Sequence, residues 1–267
     1  DLKDVNKVDN FHLDAYGEIT VNYNRDIEVF PVVRSILAKI TGKECIYKSP
    51  TDMGVNMAGY CIIDDEACRE ASEKEIIRRY FKAQCDLKSG VCKKDTVERL
   101  EFLMSRLGIT QSERKVIECA REKSRQNDDC GAVALELHDG RIVTGKNTQR
   151  MSASAACVFN AVKMLAGIKD SQKLISPYVI GPIIDMKTKI LKEHDKTLTL
   201  EEALLALSIC AASDATAATA MEQLTQLDGC DAHSTHMLFK ADENPFRKLG
   251  VRLSCDPEFL GDTLFNE

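Results

Sequence analysis

The first half of the chain has the apolar spacing of amphipathic helices. Apolar residues over 27–40 recur three or four positions apart and stop at Gly42, which is typical of a residue that follows a helix. Ser72 and Glu75 form a predicted capping box, which begins a helix that we expect to end near Gly90. Two further amphipathic helices are predicted over Asp95–Leu107 and Ser112–Arg125.

The hydrophobic period changes after the polar residues 126–129. Two alternating runs, 132–137 and 141–146, flank Asp139-Gly140, a pair that is typical of a β-hairpin turn. The remaining elements predicted here are helices over Ser154–Ala166, Ile180–Leu191 (with Pro182 in its first turn) and Asp242–Leu249, and strands over Ala232–Phe239 and Val251–Cys255.

A stretch of small apolar residues, Ala203–Met221, follows a second capping box formed by Thr199 and Glu202. The stretch is interrupted at Asp214, which either caps a second helix or is a buried carboxylate with a raised pKa. Because small residues permit close packing, we expect this pair of helices at the centre of the fold or at a subunit contact.

The order of these elements predicts an α+β or α/β fold in two parts. Residues 1–128 are predicted to form a helical subdomain, and residues 129–267 an α/β subdomain with a mixed sheet. A chain of 267 residues is long enough to give one or two domains a hydrophobic core without disulfides.

Charge and cysteine content limit the classes of function. The chain has 36 Lys and Arg against 42 Asp and Glu, a net charge of −6, which argues against a nucleic-acid partner. Its 11 cysteines follow no C-x-x-C pattern, so we expect reduced thiols and a cytoplasmic location. Because no run of 18 apolar residues occurs, we also expect no membrane partner.

The hairpin sequence 132–146 resembles the opening of the cytidine-deaminase-like fold. In the zinc enzymes of that fold, the next helix begins with a zinc ligand and the catalytic Glu, and a later helix follows Ser/Pro-Cys-x-x-Cys. Here those positions read Ser152-Ala153-Ser154-Ala155 and Ser176-Pro177-Tyr178-Val179. The resemblance therefore implies the fold without a metal site or zinc chemistry.

A second resemblance covers nearly the whole chain. The segments that carry it are 20–26, 49–59, 75–80, 139–146 and 232–235. They are similar to the C-terminal half of a bacterial family, the domain of unknown function 1846 family. The chain departs from the family's pattern at His236 and at Asp214, where the family usually has an aliphatic residue and Asn.

This family resemblance implies partners outside the chain. Family members are about twice as long, and their N-terminal half carries a Gly-rich stretch. The chain begins with Asp1, so we expect it to be a piece of a longer protein whose own N-terminal half is its partner. No cofactor is evident in this half, although the N-terminal half could bring a nucleotide.

Two polar segments of the first part are candidate ligand contacts. Asn22 and Asn24 could orient a carboxylate or phosphate held by Arg25, although the same run could simply cap a helix. The loop over 48–59 offers glycines and polar donors, although its alternating apolar residues could instead fill the core. The donors of this loop are Lys48, Ser49, Thr51 and Asn56.

The third candidate segment joins the predicted hairpin to the next helix. A deaminase-like fold would place Thr144, Lys146, Ser152 and Ser154 at its pocket. A helix N-terminus binds anions, whereas in the alternative reading the two serines only cap the helix.

The run Cys230-x-x-His233-x-x-His236 suggests a metal site, but residues three apart on a strand face opposite sides, so we predict none. His233 with Ser234 is a weak acid–base candidate, because histidine titrates near neutral pH.

These residues lead to two hypotheses from different classes. In the first, the chain binds a small anionic or nucleotide-like metabolite as the C-terminal half of a larger, group-transfer enzyme. Its site would lie between the two parts, near Arg25, Asn56 and residues 146–154. In the second, the chain is a non-catalytic scaffold or oligomerisation half that buries 203–221 against a partner, such as a second copy in a homo-oligomer.

Overall fold

The computed structural model describes residues 11–13, 19–21, 36, 39–42 and 65–260. Its contacts divide the chain into two compact units, Asp1–Arg114 and Lys115–Glu267. The predicted order, a helical region followed by an α/β region, is confirmed. The contact-based division lies before the polar run at 126–129, so the helix that precedes this run groups with the second unit.

The first unit contains a strand pair and two helices. Strand β1 (Phe11–Leu13) pairs antiparallel with β2 (Ile19–Val21), a pair that the helical pattern did not predict. Helix α1 spans Asp65–Lys88. Helix α2 spans Lys94–Leu107, which confirms the helix predicted over Asp95–Leu107. Gly108 ends α2 at φ 70°, where its N–H donates to the carbonyl oxygens of Met104 and Ser105.

The predicted helix around 27–40 falls mostly outside the described residues. Ile36 and residues 39–41 are helical, and Gly42 has φ 60°, in agreement with the expected helix end.

The predicted capping box at Ser72 and Glu75 is wrong. Helix α1 begins seven residues earlier, at Asp65, so Ser72 lies in its interior and is buried. The Glu75 carboxylate instead accepts hydrogen bonds from Arg78 (2.7 Å) and Arg79 (2.9 Å). Burial acts to raise the pKa of Glu75, but these two guanidinium groups hold it below its usual value. A Glu three and four residues before arginines can therefore satisfy its charge within one helix.

The second unit alternates helices and strands. Its helices are α3 (Val116–Arg125), α4 (Ala153–Ala166), α5 (Pro177–Asp185), α6 (Leu200–Ala211), α7 (Ala215–Glu222) and α8 (Lys240–Lys248). Its strands are β3 (Ala132–Glu136), β4 (Ile142–Lys146), β5 (Asp231–Ser234) and β6 (Arg252–Cys255).

These four strands form a mixed sheet in the order β4-β3-β5-β6. Strand β3 pairs antiparallel with β4 and β5, whereas β5 and β6 are parallel. Both the hairpin and the mixed sheet are thus confirmed, and Gly140 in the hairpin turn has φ 81°. Strand β5 is shorter than predicted, because the chain turns after Ser234, whose Oγ accepts a hydrogen bond from the His236 N–H.

Helices cover both faces of the sheet. Helix α4 packs on the face that carries Val133, Leu135 and Val143, which belong to the main aliphatic core. Gly145 permits this close packing, since an added Cβ would lie 2.2 Å from the Cys157 amide nitrogen. Helix α3 packs on the opposite face, against Ala134.

Four helices of this unit, α4 to α7, begin at a residue whose side chain caps the helix. The box at Thr199 and Glu202 is confirmed, and Asp214 caps α7 by accepting hydrogen bonds from the backbone N–H groups of residues 216 and 217. The predicted helix over 180–191 is wrong at its start. Helix α5 begins at Pro177 after its N-cap Ser176, and a π-helical turn over 186–190 follows it.

Candidate functional site

The polar side of the sheet faces helix α3. His233 pairs with Ala134 across β5 and β3, and Ala134 packs against Val116 and Ala120 of α3. Because paired residues share a face, His233 points toward α3 and is fully buried. Its Nδ1 lies 2.8 Å from the Oγ of Ser254, its neighbour on β6.

Asp256 lies directly after β6 and connects the buried histidine to α3. Its Oδ1 is 3.4 Å from Nε2 of His233. The Arg121 guanidinium donates two hydrogen bonds to this carboxylate, from Nε to Oδ2 at 3.1 Å and from Nη2 to Oδ1 at 2.6 Å. Burial acts to raise the pKa of Asp256, but His233 and Arg121 lower it to about 2. Asp256 is therefore ionised near neutral pH and fixes the Arg121 side chain.

A depression of about 420 Å³ opens beside this ion pair. Arg121 lies in its wall with 34% of its side chain exposed. The depression lies next to the carboxyl end of β5, where open α/β sheets commonly bind ligands. Its lining residues are Glu118, Arg121, Ser124, Arg125, Asp129 and Thr235.

A tight turn shapes one rim of the depression. Asp128 and Asp129 both have positive φ, 56° and 54°, and the Cys130 N–H donates to the Asn127 carbonyl at 3.1 Å. Aspartate tolerates this left-handed backbone better than most residues do. Ser124 ties the turn to α3, because its hydroxyl donates to the Cys130 carbonyl at 2.8 Å. The turn thereby holds Asp129 at the rim.

The second arginine of the depression is held more loosely. Arg125 forms an ion pair with Glu118, and its Nη1 lies 3.7 Å from a carboxylate oxygen of Glu122. The Arg125 and Glu118 side chains are 56% and 68% exposed, so this pair contributes little to stability.

Two candidate ligand-binding residues of β4, Thr144 and Lys146, form hydrogen bonds with neighbouring residues of this unit. The Thr144 carbonyl accepts a hydrogen bond from the Asn160 side chain, and the Lys146 ammonium donates to the Asn127 side chain. Ser154 is fully buried. None of Thr144, Lys146 and Ser154 is among the residues that line the described depression.

Two backbone N–H groups at the start of α4 donate hydrogen bonds to nearby side chains. Ser152 is the N-cap: its Oγ accepts from the Ala155 N–H and donates to Asp242 at 2.9 Å. Asn147, which the sequence interpretation missed, accepts from the Ala153 N–H at 2.6 Å. These contacts agree with the capping interpretation of Ser152, and its role in ligand binding stays a prediction.

His233 and Ser234 lie inside the unit. His233 is enclosed with Ser254 and Asp256, and Ser234 is likewise buried. Burial of His236, close to Ser234, lowers the pKa of this imidazole to about 4. The candidates of the first part lie outside the described residues: Asn22, Asn24, Arg25, Lys48, Ser49, Thr51 and Asn56.

Sequence reasoning missed Arg121 and Asp256, which the structure brings together. Asp256 had a usable signal, because it follows a predicted strand at the carboxyl edge of the sheet. Arg121 had none, since it is one of several charged residues on an amphipathic helix.

The described residues contain neither a cluster of metal ligands nor a membrane-spanning helix. No three His, Cys, Asp or Glu side chains there are placed so that they could hold a metal ion. None of the helices in this part combines the length and apolar character that crossing a membrane requires.

Comparison with known sequences identifies relatives across the whole chain. Proteins described as UPF0371 from Clostridioides difficile (strain 630) and Clostridium botulinum (strain Alaska E43, type E3) are each 51% identical to it over 272 residues. One from Clostridium tetani (strain Massachusetts / E88) is 52% identical over the same length. Each alignment covers 99% of this chain and 54% of the relative, so the chain spans about half the length of these curated relatives.

Family models correct one expectation. The C-terminal domain of DUF1846, a domain of unknown function, matches residues 112–265, and the N-terminal DUF1846 domain matches residues 1–108. The sequence analysis expected similarity to the family's C-terminal half alone. That expectation is wrong, because the chain matches both the N-terminal and the C-terminal domain models. With both models matched and about half of all positions identical to the curated relatives, the chain belongs to the DUF1846 family.

Proposed function

We propose that the second unit binds a small metabolite through a carboxylate or phosphate group, in the depression along α3. The observation that carries the proposal is the placement of Arg121. Asp256 holds this guanidinium in a fixed, two-point geometry, and a third of the side chain remains exposed at the depression. A planar guanidinium that is fixed in advance suits carboxylate and phosphate groups, because little side-chain freedom is lost on binding.

Arg125 would supply the exchangeable contact. Its pairing with Glu118 is exposed and weak, so a ligand anion can replace Glu118 with a small loss of free energy. Arg121 would stay with Asp256, since the low pKa of about 2 keeps that carboxylate charged. Arg121 would thus orient the ligand, while Arg125 would exchange Glu118 for the ligand's anionic group.

We propose group transfer only for a protein of the length of the curated relatives, and not for this chain alone. The chain spans 54% of the length of the curated relatives, and a nucleotide co-substrate would bind through residues outside it. Within the chain, we assign His233 a positioning role. It is enclosed and contacts Asp256 at 3.4 Å, so it acts on Arg121 through that carboxylate.

The test is a calorimetric titration of the chain with inorganic phosphate, ribose 5-phosphate, adenosine 5′-monophosphate and succinate. We expect at least one probe to bind, and Arg125→Gln to weaken that binding by about tenfold. Arg141→Gln is the matched control, because Arg141 is also exposed and paired with a carboxylate, Asp139, on the hairpin. Equal losses in both variants, or no binding of any probe in the millimolar range, would overturn the proposal.

The scaffold hypothesis retains one supporting observation, the outer face of α6. Leu205 and Ile209 lie one helical turn apart, and their exposed fractions are 62% and 58%. The other side of α6 is buried in the core through Ala203, Ala206 and Leu207. Such a face can pack against a second copy of the chain. Sedimentation equilibrium tests this: a dimer that Leu205→Glu dissociates would support it, and a monomer at high concentration would contradict it.

A further inference from the structure

We infer that the ligand of the α3 depression carries an ammonium group as well as its anionic group. This inference rests on the proposed function, because it names the ligand class for the same depression. It comes from the balance of charges around the two arginines.

Carboxylates outnumber guanidinium groups at this site. Arg121 is paired with Asp256, and Arg125 lies between Glu118 and Glu122. Asp129 adds a further carboxylate to the lining. Two guanidinium groups are therefore surrounded by four carboxylates, of which Glu118 and Asp129 line the depression itself, and a ligand that brings only negative charge increases the excess. Like charges within a few ångströms of each other repel by about 1 kcal/mol even in water.

Asp129 is the carboxylate best placed to receive a cation. It is exposed, it lines the depression, and the turn with φ 54° holds its backbone in place. Within the described part of the chain, no ion pair joins Asp129 to a Lys, Arg or His side chain. Its charge is thus available to a ligand.

With an amino-bearing anion, each carboxylate of the site has a cationic group beside it, and the excess of negative charge does not grow. Its carboxylate or phosphate takes the place of Glu118 at Arg125, which frees the Glu118 carboxylate inside the depression. Its ammonium group then lies between Glu118 and Asp129. An anion without an amine would leave both of these carboxylates without a cation.

The contact between Glu118 and Arg125 limits the size of this ligand. Their side chains form an ion pair, so an anionic group at Arg125 and an ammonium group at Glu118 would lie close together. A ligand whose charges are separated by a few bonds fits this arrangement. The class is therefore a small zwitterion, such as an α-amino acid or a phosphorylated amino alcohol.

Matched probes that differ only by the amine test the inference. Calorimetry would compare L-glutamate with glutarate, and phosphoethanolamine with ethyl phosphate. At pH 7 we expect the amino-bearing member of at least one pair to bind about tenfold more tightly. We expect Asp129→Asn to reduce that ratio to about two.

Asp128→Asn is the matched control, since Asp128 has the same left-handed backbone in the same turn but does not line the depression. Its amine preference should equal that of the unmodified chain. An equal loss in both variants would overturn the role of Asp129, because it would trace the effect to the turn.

The outcomes separate this inference from the function on which it rests. Equal affinity for the two members of both pairs, with binding still sensitive to Arg125→Gln, would overturn the inference alone. Failure of all four probes and of the amine-free anions tested above would overturn the proposed function as well.

Discussion

The two faces of the sheet in the second unit are built from different chemistry. The face under α4 is aliphatic, with Val133, Leu135 and Val143 in the main core. The face under α3 carries His233 and Ser254, and Asp256 at its edge is paired with Arg121. The first face is organised by close packing, whereas the second combines a smaller apolar cluster around Ala134 with charge pairing at its edge. We therefore expect the first to respond mainly to volume, and the second to charge and pH.

The largest expected effect is on the aliphatic face. Gly145→Ala would place a Cβ 2.2 Å from the Cys157 amide nitrogen and 2.5 Å from the Ala153 carbonyl oxygen. Because both atoms are backbone, α4 must shift, and we expect a loss of about 3 kcal/mol in the free energy of unfolding. Urea denaturation measures this. Gly181→Ala is the control, since no atom lies within 4 Å of its added Cβ, and it should not destabilise the protein.

The next effect is on the polar face. Asp256→Asn removes the charge that neutralises Arg121 and contacts His233. We expect a loss of about 2 kcal/mol, below the value for a fully buried pair because Arg121 is partly exposed. Asp139→Asn, which weakens the exposed pair with Arg141, should leave stability almost unchanged, because water screens this pair. Equal effects at the two positions would contradict the account.

A pH series separates two titrating groups near this edge of the sheet. Burial lowers the pKa of His236 from 6.5 to about 4, so the unfolded chain binds more protons in this range. Stability should fall as the pH drops from 6.5 to 4, by at most about 1.4 kcal/mol per pH unit. His236→Leu should flatten this part of the curve.

Below that range, Asp256 should dominate the same curve. Its pKa is lowered from 3.8 to about 2, so its contribution to stability is present above pH 4 and is lost as the pH falls toward 2. Asp256→Asn should flatten only this acid limb. Urea midpoints from pH 7 to 2 would test both groups, and an unchanged curve in either variant would contradict its assignment.

The smallest expected effect concerns the helix cap at Asp214. Asp214→Ala removes the acceptor for two N–H groups of α7 and should lower stability by about 1 kcal/mol. Asp214→Ser, which can still cap, should restore most of the loss. Ligand binding should not change in either variant, and a change would argue that this carboxylate has a functional role.

Local patterns predicted the architecture well where neighbours in sequence decide it. The hairpin at Gly140, the end of α4 at Ala166 and the capping box at Thr199 depend on residues within a few positions of each other. The predicted box at Ser72 was wrong, although Ser72 and Glu75 have the spacing of a capping box. Glu75 pairs with arginines of its own helix, and that helix already begins at Asp65.

The candidate site was much less predictable, because its parts are distant in sequence. Arg121 and Asp256 are separated by 135 residues, and only the fold brings them together. The resemblance to a deaminase-like fold predicted a pocket at Thr144, Lys146, Ser152 and Ser154. In the structure, Gly145 serves close packing and Ser152 serves capping. Similar residue types support both roles, and one sequence does not distinguish them.

The most direct test of the central claim is a residue-resolved NMR titration of the arginine Nε–H signals with L-glutamate and with phosphoethanolamine. The account predicts that, with at least one of these two ligands, the signals of Arg121 and Arg125 shift together and saturate, while that of Arg141 stays unchanged. Signals of Arg121 and Arg125 that do not move with either ligand, or that move no more than that of Arg141, would contradict it.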